Sequence, residues 1–393
     1  MSVKLFIYVV SFFISCSTLA NEQLQFIFSQ GMNYSTNGEY SKAVKEFRTM
    51  LAIDSSLARP RLELALALYK SKDYDGAKYH FERALLSIES YEVRQNIKLF
   101  ISRIKQELPI VNMTIGIVTD SNPNQETSAK TVKIGGIEFD LQTYSQDKSD
   151  KGYEFRVNSK TPIDTEEKTF IRANLQHTDY PGSKNAQTYL SASYGKHFSI
   201  NSNSSITPEI GFHKFVYKDK GLYSGKTYAL SYFNSINNNS SVELKFSRQE
   251  LEYPNYQYMS GSKNLITSVF STTTSVDNRF DVQLSYLKAK VLDKATSYNQ
   301  PSLSVSNNRE FKGGWSIGVS ATINQQTYLS MDPFFGLERK DKQKSAELTI
   351  LNSLFEMNGV SPKLVVGVVK NASNTALYEF DKNYIKLEFT KEF

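Results

Sequence analysis

The stretch YIKLEFTKEF, residues 384–393, alternates apolar and polar side chains along most of its length. Every second residue from 385 onward lies on one face of an extended chain: Ile385, Leu387, Phe389, Lys391 and Phe393. The other face carries Tyr384, Lys386, Glu388, Thr390 and Glu392. This period of two predicts a β-strand. Both an edge strand of a soluble sandwich and a strand of a membrane barrel have this pattern, so the rest of the chain must decide.

The same alternation recurs from about Ile110 onward. We count about fourteen runs, centred on TIGIV, YEFRV, FIRAN, TYLSA, TPEIG, KTYAL, VELKF, LITSV, DVQLS, SLSVS, SIGVS, AELTI, KLVVG and YIKLEF. Charged residues recur on the second face: Glu154, Arg156, Arg172, Glu243, Lys245 and Asp281. Such charges are costly in a packed core but not in a hydrated lumen, where each could also form a salt bridge that stiffens the wall. The pattern favours an all-β transmembrane β-barrel of about 14 antiparallel strands over a soluble sandwich.

The aromatic composition indicates the same class of protein. The chain of 393 residues has 24 Tyr and 25 Phe but one Trp, while Asn, Ser, Thr and Lys are abundant. Aromatic girdles at the two bilayer interfaces and a polar interior need such a mixture. The net charge of +6 is modest and acids match the lysines, so no nucleic-acid partner is expected. We expect a monomeric barrel surrounded by outer-membrane lipid.

The connections between the runs differ in length. Short ones such as PIDTEEK and TTSVDN take turns with longer ones such as HTDYPGSKNA, ELEYPNYQYMSGSK and YLSMDPFFGLERKDKQ. Bacterial barrels have short periplasmic turns and long external loops, so both ends of residues 109–393 are expected in the periplasm. The last strand must pair with the first, and Phe393 would close the barrel. A terminal aromatic residue after alternating apolar residues resembles the signal read by the outer-membrane assembly machinery.

Residues 1–20, MSVKLFIYVVSFFISCSTLA, are predicted to be a secretory signal peptide. Lys4 precedes an apolar run from Leu5 to about Ser15, and Ala20 suits a peptidase cleavage site. A transmembrane anchor is the alternative, but the run is short and lacks a stop-transfer flank. Cleavage after Ala20 removes Cys16, the single cysteine, so neither a disulfide nor a cysteine metal site is expected.

Residues 21–108 are predicted to form an all-α domain with a repeat of about 34 residues. An offset of 34 superposes Tyr40 on Tyr74, Ala43 on Ala77, Phe47 on Phe81 and Leu51 on Leu85, while Gly31 and Ala65 share the small position of the first helix. Small residues where helices cross, with an aromatic residue one turn later, are typical of tetratricopeptide (TPR) repeats. A recurring amphipathic hairpin is the alternative. A third helical stretch, Tyr91 to Glu107, would cap the stack before Pro109.

Several patches around the predicted strands carry charged and amide residues. GIVTDSNPN contains Asp120, Ser121 and Asn122, directly after the first run. The C-terminal patches FGLERKDKQ, NGVSPKL and NASNTALYEFDKN contain Arg339, Lys340, Asp341, Gly359, Pro362, Ser373, Asn374, Tyr378 and Asp381. With a signal peptide, a short tetratricopeptide segment and a barrel of about fourteen strands, these patches resemble the surface lipoprotein assembly modifier (Slam) family, the translocons of type XI secretion.

This resemblance implies protein transport. The barrel would move one or a few dedicated client proteins, either surface lipoproteins or soluble haem- or iron-capturing proteins, from the periplasm to the cell surface. The helical domain would hold the cognate client, and the hydrated lumen would offer it weak, replaceable contacts. A solute-selective porin with a periplasmic protein-binding domain is the alternative function.

Catalytic and metal-binding motifs do not stand out in the chain. Its four histidines, His80, His177, His197 and His213, do not have a metal-ligand spacing such as HExxH. A serine and a histidine on distant strands could still meet, because catalytic triads are defined by geometry. The expectation is nevertheless a protein that is not an enzyme and that holds no cofactor or metal.

Overall fold

The computed structural model describes residues 22–134, 136–141, 149–218, 220–355 and 360–392. The predicted signal peptide and Phe393 lie outside these ranges. The described chain begins with five helices: α1 (residues 22–36), α2 (Tyr40–Ile53), α3 (Ala58–Lys70), α4 (Tyr74–Ala84) and α5 (Tyr91–Gln106). None of the helices in these residues is both long and apolar enough to cross a bilayer.

Turn and cap residues explain where these helices begin and end. Gly38 has a φ of 78° in the turn between α1 and α2, a conformation that glycine adopts without steric cost. The Asp73 side chain accepts a hydrogen bond from the Gly76 amide at 2.8 Å and caps α4. Ser90 caps α5 in the same way through the Val93 amide. Pro109 follows α5, and the first strand begins at the next residue.

The residues of the predicted repeat form the helical core. Ala43, Phe47, Ala65, Ala77 and Phe81 have no exposed surface. A Cβ at Gly31 would lie 2.7 Å from Phe47 Cε1, so the close approach of α1 and α2 requires glycine there. The two tyrosines of the repeat, Tyr40 and Tyr74, are partly buried, and the Tyr74 ring meets Tyr69 edge to face with centroids 5.7 Å apart. The helices therefore pack at the predicted positions, while their assignment to the tetratricopeptide class stays a prediction.

Within the described residues, fourteen antiparallel strands form a closed barrel after the helices. They are β1 (Ile110–Asp120), β4 (Asp150–Asp164), β5 (Thr169–Tyr180), β6 (Asn185–Lys196), β8 (Ser204–Tyr217), β9 (Lys220–Ser235), β10 (Ser240–Leu251), β11 (Gly261–Ser275), β12 (Asn278–Val291), β13 (Tyr298–Glu310), β14 (Trp315–Tyr328), β15 (Lys340–Asn352), β16 (Val360–Ser373) and β17 (Phe380–Glu392). Each predicted run falls on one of these strands, so the predicted fold class is confirmed.

Three short strands were not predicted. β2 (Thr131–Ile134) and β3 (Ile137–Asp140) form a separate hairpin in the connection from β1 to β4. β7 (Phe198–Ser199) adds two residues to the sheet beside β8. Two or four residues are too few for an alternation to stand out in the sequence.

Two pairings close the barrel. β1 pairs with β17, with Asn112 opposite Glu392 and Asp120 opposite Tyr384. On the other side β6 pairs with β8, with Gln187 opposite Tyr217. Closure satisfies the backbone groups that an open sheet edge would leave unpaired in lipid.

The two faces of β17 lie as the alternation predicts. Ile385, Leu387 and Phe389 are exposed on the outer surface of the barrel. Glu388 points inward and is buried, and Lys386 reaches an inward carboxylate on β4. The other strands continue this arrangement, because paired residues in an antiparallel sheet share a face.

The connections at the two ends of the barrel differ in length. On one side they include residues 121–149, 252–260 and 329–339, and on the other they include 165–168, 236–239 and 276–277. The prediction of a long connection at HTDYPGSKNA is wrong, because β5 and β6 run to Tyr180 and from Asn185 and leave only residues 181–184 between them. The helical domain, the start of β1 and the end of β17 lie at the short-turn end.

Candidate functional site

Asp120 is the centre of a buried polar cluster at the long-connection end of the barrel. It ends β1, and its side chain is 2 % exposed. Lys382 Nζ, on the neighbouring β17, lies 2.8 Å from Asp120 Oδ2. The Tyr180 hydroxyl donates to the same oxygen at 3.3 Å, and the Asn122 amide donates to Oδ1 at 2.9 Å. A carboxylate with these partners fixes where the chain leaves β1.

Ser121 and Asn122 attach the following connection to β17. The Ser121 amide donates to the Asn383 carbonyl at 2.9 Å, and the Asn383 amide donates to Ser121 Oγ at 2.8 Å. Asn122 Nδ2 donates to the carbonyls of Glu126 and Asp381, at 2.9 and 3.3 Å. The connection is thereby folded over the rim at its start.

Arg339 and its neighbours form a second cluster on the same rim. Arg339 pairs with Asp341 at 2.6 Å, and its guanidinium lies 3.2 Å from the centroid of the Tyr378 ring. The Lys340 amide donates to Asn374 Oδ1 at 2.8 Å, and the Asn374 amide returns a bond to the Lys340 carbonyl. Ser373 Oγ accepts from the Thr375 amide at 3.1 Å.

The structure therefore brings most of the predicted motif residues to one segment of the rim. Pro362 lies instead near the start of β16, at the short-turn end, and Gly359 lies outside the described residues. The residues on this rim lie at the long-connection ends of β15, β16, β17 and β1, which are consecutive neighbours in the sheet, or in the connections beside them. Their hydrogen bonds run mainly to backbone groups of the adjoining connections, so the cluster holds those connections in place. The predicted Phe393 lies outside the described residues.

The six predicted lumen residues all lie on inward positions, and most are paired. Glu154 pairs with Lys386 at 2.9 Å, and Arg156 with Glu388 at 2.7 Å. Arg172 meets Glu209 at 3.3 Å, and Asp281 meets Arg279 at 3.1 Å. Glu243 and Lys245 are exposed toward the interior. Four of the six thus form the stiffening salt bridges that were the alternative reading.

Five of the paired side chains form one continuous surface, which we call the charged wall: Glu154, Arg156, Lys363, Lys386 and Glu388. Glu388 is its hub, because Lys363 Nζ also lies 2.7 Å from its carboxylate. Gly116 makes room for it, since a Cβ there would lie 3.3 Å from Glu388 Cγ and 3.8 Å from Glu154 Cβ. The wall spans β4, β1, β17 and β16, so its ion pairs cross the seam where the barrel closes.

The inward faces of β13 and β14 form what we call the neutral wall: Ser302, Ser304, Ser306, Asn308, Ser320, Thr322 and Asn324. These residues are half-buried and uncharged. Thr322 Oγ1 donates to Ser304 Oγ at 2.9 Å, and Asn324 Nδ2 donates to Gln343 Oε1 at 3.2 Å. Short hydroxyl and amide groups of this kind both donate and accept hydrogen bonds.

Glu310 joins the helical domain to the inner mouth of the barrel. It ends β13 at the short-turn end. Arg61 on α3 donates to Glu310 Oε2 at 2.7 Å, and the Tyr79 hydroxyl on α4 donates to Oε1 at 2.6 Å. Arg83 lies 3.7 Å from the same carboxylate and donates to the Val276 carbonyl at 2.7 Å. Arg61 and Arg83 are almost fully buried, so this junction is desolvated.

Further contacts between the two domains involve β12 and β1. Glu82 on α4 meets Arg279 on β12 at 3.8 Å, and Asn112 Nδ2 on β1 donates to Asp75 at 2.5 Å. The helical domain therefore rests on the short turns and the mouth. This junction was not predicted from the sequence. The one sequence feature that could have indicated it is Arg61, an arginine within the apolar helix LARPRLELALALYK.

His80 lies next to this junction. Its Nδ1 is 3.3 Å from an Arg61 nitrogen, so Nδ1 accepts a hydrogen bond and carries no proton. Burial, and then the positive charges of Arg61, Arg48 and Arg83, lower the pKa of His80 well below its ordinary value. Burial and the Glu310 carboxylate raise the pKa of the neighbouring Tyr79. The junction thus contains an uncharged histidine and a protonated tyrosine at neutral pH.

The described residues form neither a metal site nor a nucleophile elbow. Within the described residues, no three His, Cys, Asp or Glu side chains come together as a metal site would need. The letters GWSIG at residues 314–318 match the GxSxG pattern of a nucleophile elbow. Ser316 lies instead near the start of strand β14, with its hydroxyl 3.3 Å from Asn308 Oδ1 and a continuing strand after it. The geometry of that turn is therefore not present.

Comparison with known proteins identifies a matching family, two relatives and one solved structure. A family model described as surface lipoprotein assembly modifier matches residues 110–393. Surface lipoprotein assembly modifier 1 of Haemophilus influenzae is 21% identical over 383 residues, covering 93% of this chain and 77% of the relative. Its counterpart in Neisseria meningitidis is 20% identical, covering 93% and 75%. Among solved structures, the outer membrane channel DcaP of Acinetobacter baumannii matches 72% of this chain and 96% of its own, with a TM-score of 0.42 and 8% identity.

Proposed function

Because this chain belongs to the surface lipoprotein assembly modifier family, we propose that it moves a dedicated client protein from the periplasm to the cell surface. The barrel spans the bacterial outer membrane, and the helical domain lies on its periplasmic side. The client is a surface lipoprotein or a soluble haem- or iron-capturing protein. Further partners are the surrounding lipid and, during biogenesis, the outer-membrane assembly machinery.

The observation that carries this proposal is the junction at Glu310. A pore for small solutes has no need of a folded domain at its mouth, whereas a protein translocon needs a surface that receives the client. The helical domain is bonded to the inner end of β13 through Arg61, Tyr79 and Arg83. A client held by the helices is thereby delivered at the start of the neutral wall.

The two walls suggest the path that the client takes. Each carboxylate of the charged wall already has a cation at 2.7 to 2.9 Å, so a client would have to break desolvated ion pairs to bind there. The neutral wall offers hydroxyl and amide groups that exchange hydrogen bonds with a passing backbone at little net cost. We place the moving chain along β13 and β14.

Reconstitution tests the proposal. The full chain in liposomes is offered candidate secreted proteins encoded beside its gene, and protection from an added protease reports transfer across the bilayer. Glu310→Gln should reduce transfer, because it weakens the junction without changing the side-chain size. Glu166→Gln makes the same change in the exposed turn between β4 and β5, outside both walls, so it is the matched control and should transfer at the wild-type rate.

Single-channel recording supplies the opposing result. Steady conductance of the liposomes, together with no transfer of any client, would make the protein a solute-selective pore and overturn the proposal. If Glu310→Gln does not change transfer, the protein is still a translocon, but the junction takes no part in its mechanism.

A further inference from the structure

A groove runs along the outer surface of the barrel across β4, β5, β6 and β8. Its volume is about 540 Å³. Apolar side chains line most of it, among them Phe155, Val157, Leu175, Leu190 and Phe212. Leu190 and Phe212 are exposed on the outer face of their strands, so the groove opens toward the bilayer and not toward the lumen.

Small residues create the groove. Ala173 on β5 and Ala192 on β6 are directly opposite each other, and Ser159 on β4 is opposite Ala173. All three lie on the outer face among larger neighbours. Three short side chains side by side leave a depression about as wide as three strands, which is about 10 to 15 Å from strand spacing.

Cations lie at the end of the groove that faces the long connections. Lys214 lines the groove itself and is exposed on the outer face of β8. Lys226 on β9 is diagonal to it, because Lys226 is opposite Phe212. Arg248 on β10 is opposite Tyr228 and continues the diagonal. Among the described residues, none of these three cations forms an ion pair.

The Lys214 side chain extends toward the rim. Its Cε lies 3.8 Å from the position that a Cβ would take at Gly221. Gly221 is nearer the long-connection end than Ser224, the residue that pairs with Lys214. Glu250 and Glu252 follow Arg248 on the same face, and Glu252 lies opposite Ser224. Three cations therefore face two acids. The charge beside the groove is therefore net positive and lies where lipid headgroups meet the barrel.

We propose that this groove binds a phosphorylated, multiply acylated lipid of the outer leaflet. One acyl chain lies in the groove over Ala173 and Ala192, and the headgroup phosphate contacts Lys214 and Lys226. An apolar groove alone would accept any acyl chain, including that of a lipoprotein. The cations at its outer end favour a lipid whose headgroup is an anion. This site is independent of the proposed transport function.

Lipid retention by the purified full-length protein tests the site. The protein in detergent is mixed with diphosphoryl lipid A, and native mass spectrometry counts the lipid that stays bound. Wild type should retain one molecule. Lys214→Gln should bind about fivefold more weakly, and the double variant with Lys226→Gln about 25-fold, since each lysine near a membrane surface contributes about a factor of five. Ala192→Phe should abolish retention by filling the groove.

Two matched controls lie elsewhere on the outer face. Lys288→Gln on β12 makes the same charge change, and Ala321→Phe on β14 makes the same change of size; both should bind as wild type does. Equal retention by Lys214→Gln and wild type would overturn the proposal. So would a phosphate-free triacylated lipopeptide that binds as tightly and ignores Lys214→Gln, because the groove would then take acyl chains without reading the headgroup. If Ala192→Phe does not fold, the lysine variants still show whether the headgroup is bound at this site.

Discussion

The charged wall and the neutral wall line the same lumen but are built in opposite ways. In the charged wall, Glu154 and Glu388 are nearly fully buried and each is bonded to a cation on another strand. In the neutral wall the side chains are half-buried, and their recorded contacts join short hydroxyl and amide groups. One wall depends on fixed ion pairs and the other on hydrogen bonds that water can replace.

The difference follows the way the barrel is closed. The charged wall crosses the pairing of β1 with β17, which joins the two ends of the barrel chain. The neutral wall lies on strands that are neighbours in sequence and are joined by a short turn. Strands that must find each other over a long separation pay more loop-closure entropy, so specific partners have most effect at this seam. The predictions below test whether stability is concentrated there.

The largest effect is expected at Glu388. Glu388→Ala leaves Arg156 and Lys363 without their carboxylate, and we expect a loss of about 3 kcal/mol in the free energy of unfolding, the low end for a buried pair. The low end applies because these two cations are 31% and 30% exposed. Urea unfolding in lipid vesicles measures the loss. Ser306→Ala on the neutral wall should change the free energy by less than about 0.5 kcal/mol; equal losses would end the distinction between the walls.

The next largest loss of stability is expected at Gly367, compared with a second glycine, Gly318. The Tyr384 ring covers Gly367, where a Cβ would lie 2.1 Å from Cζ, and its hydroxyl donates to Glu347 at 2.7 Å. Gly367→Ala must displace that ring and should cost about 2 kcal/mol. Gly318→Ala on β14 is the control, because its Cβ would meet Asn308 Nδ2 at 3.4 Å and Thr349 Cβ at 3.5 Å. The same unfolding assay compares them, and a tolerated Gly367→Ala would show that the packing between β16 and β17, next to the seam, can adapt.

The pH dependence of the helical domain comes third. His80 has a lowered pKa in the folded domain, so the unfolded chain binds more protons as the pH falls. The free energy of unfolding should therefore decrease as the pH drops through the ordinary histidine value near 6.5, by at most about 1.4 kcal/mol per pH unit. Helical circular dichroism during heating at pH 7.5 and 5.5 measures it. His80→Gln should remove the difference, and a variant with the same pH slope would show that another group titrates.

The fold could be predicted from the sequence because its signal repeats. In β17, the five residues from Ile385 to Phe389 alternate between apolar and polar side chains. The structure accordingly places Ile385 outward and Glu388 inward. The same period on the other strands left little room for another class of fold. The hairpin of β2 and β3 escaped because each strand has four residues.

The contacts of the site could not be predicted in the same way. Alternation tells which face Glu154 lies on, but its partner Lys386 is 232 residues away, and pairing depends on register. A shift of one residue would turn every side chain to the other face. The junction of Arg61 with Glu310 spans 249 residues and two domains, so no local pattern marks it. The motif residues were found as a set, yet their common place on the rim follows only from the order of β15, β16, β17 and β1.

The smallest effect is expected on the neutral wall. Thr322→Val keeps the shape of the side chain and removes the hydroxyl that donates to Ser304 at 2.9 Å. Both residues are half-buried in a hydrated lumen, so water can take the place of the lost partner and the cost should stay near 0.5 kcal/mol. The midpoint of urea unfolding, compared with Ser306→Ala, measures it. A loss as large as that of Glu388→Ala would mean that β13 and β14 are also fixed by specific contacts, and a client could then not exchange hydrogen bonds along them without destabilising the barrel.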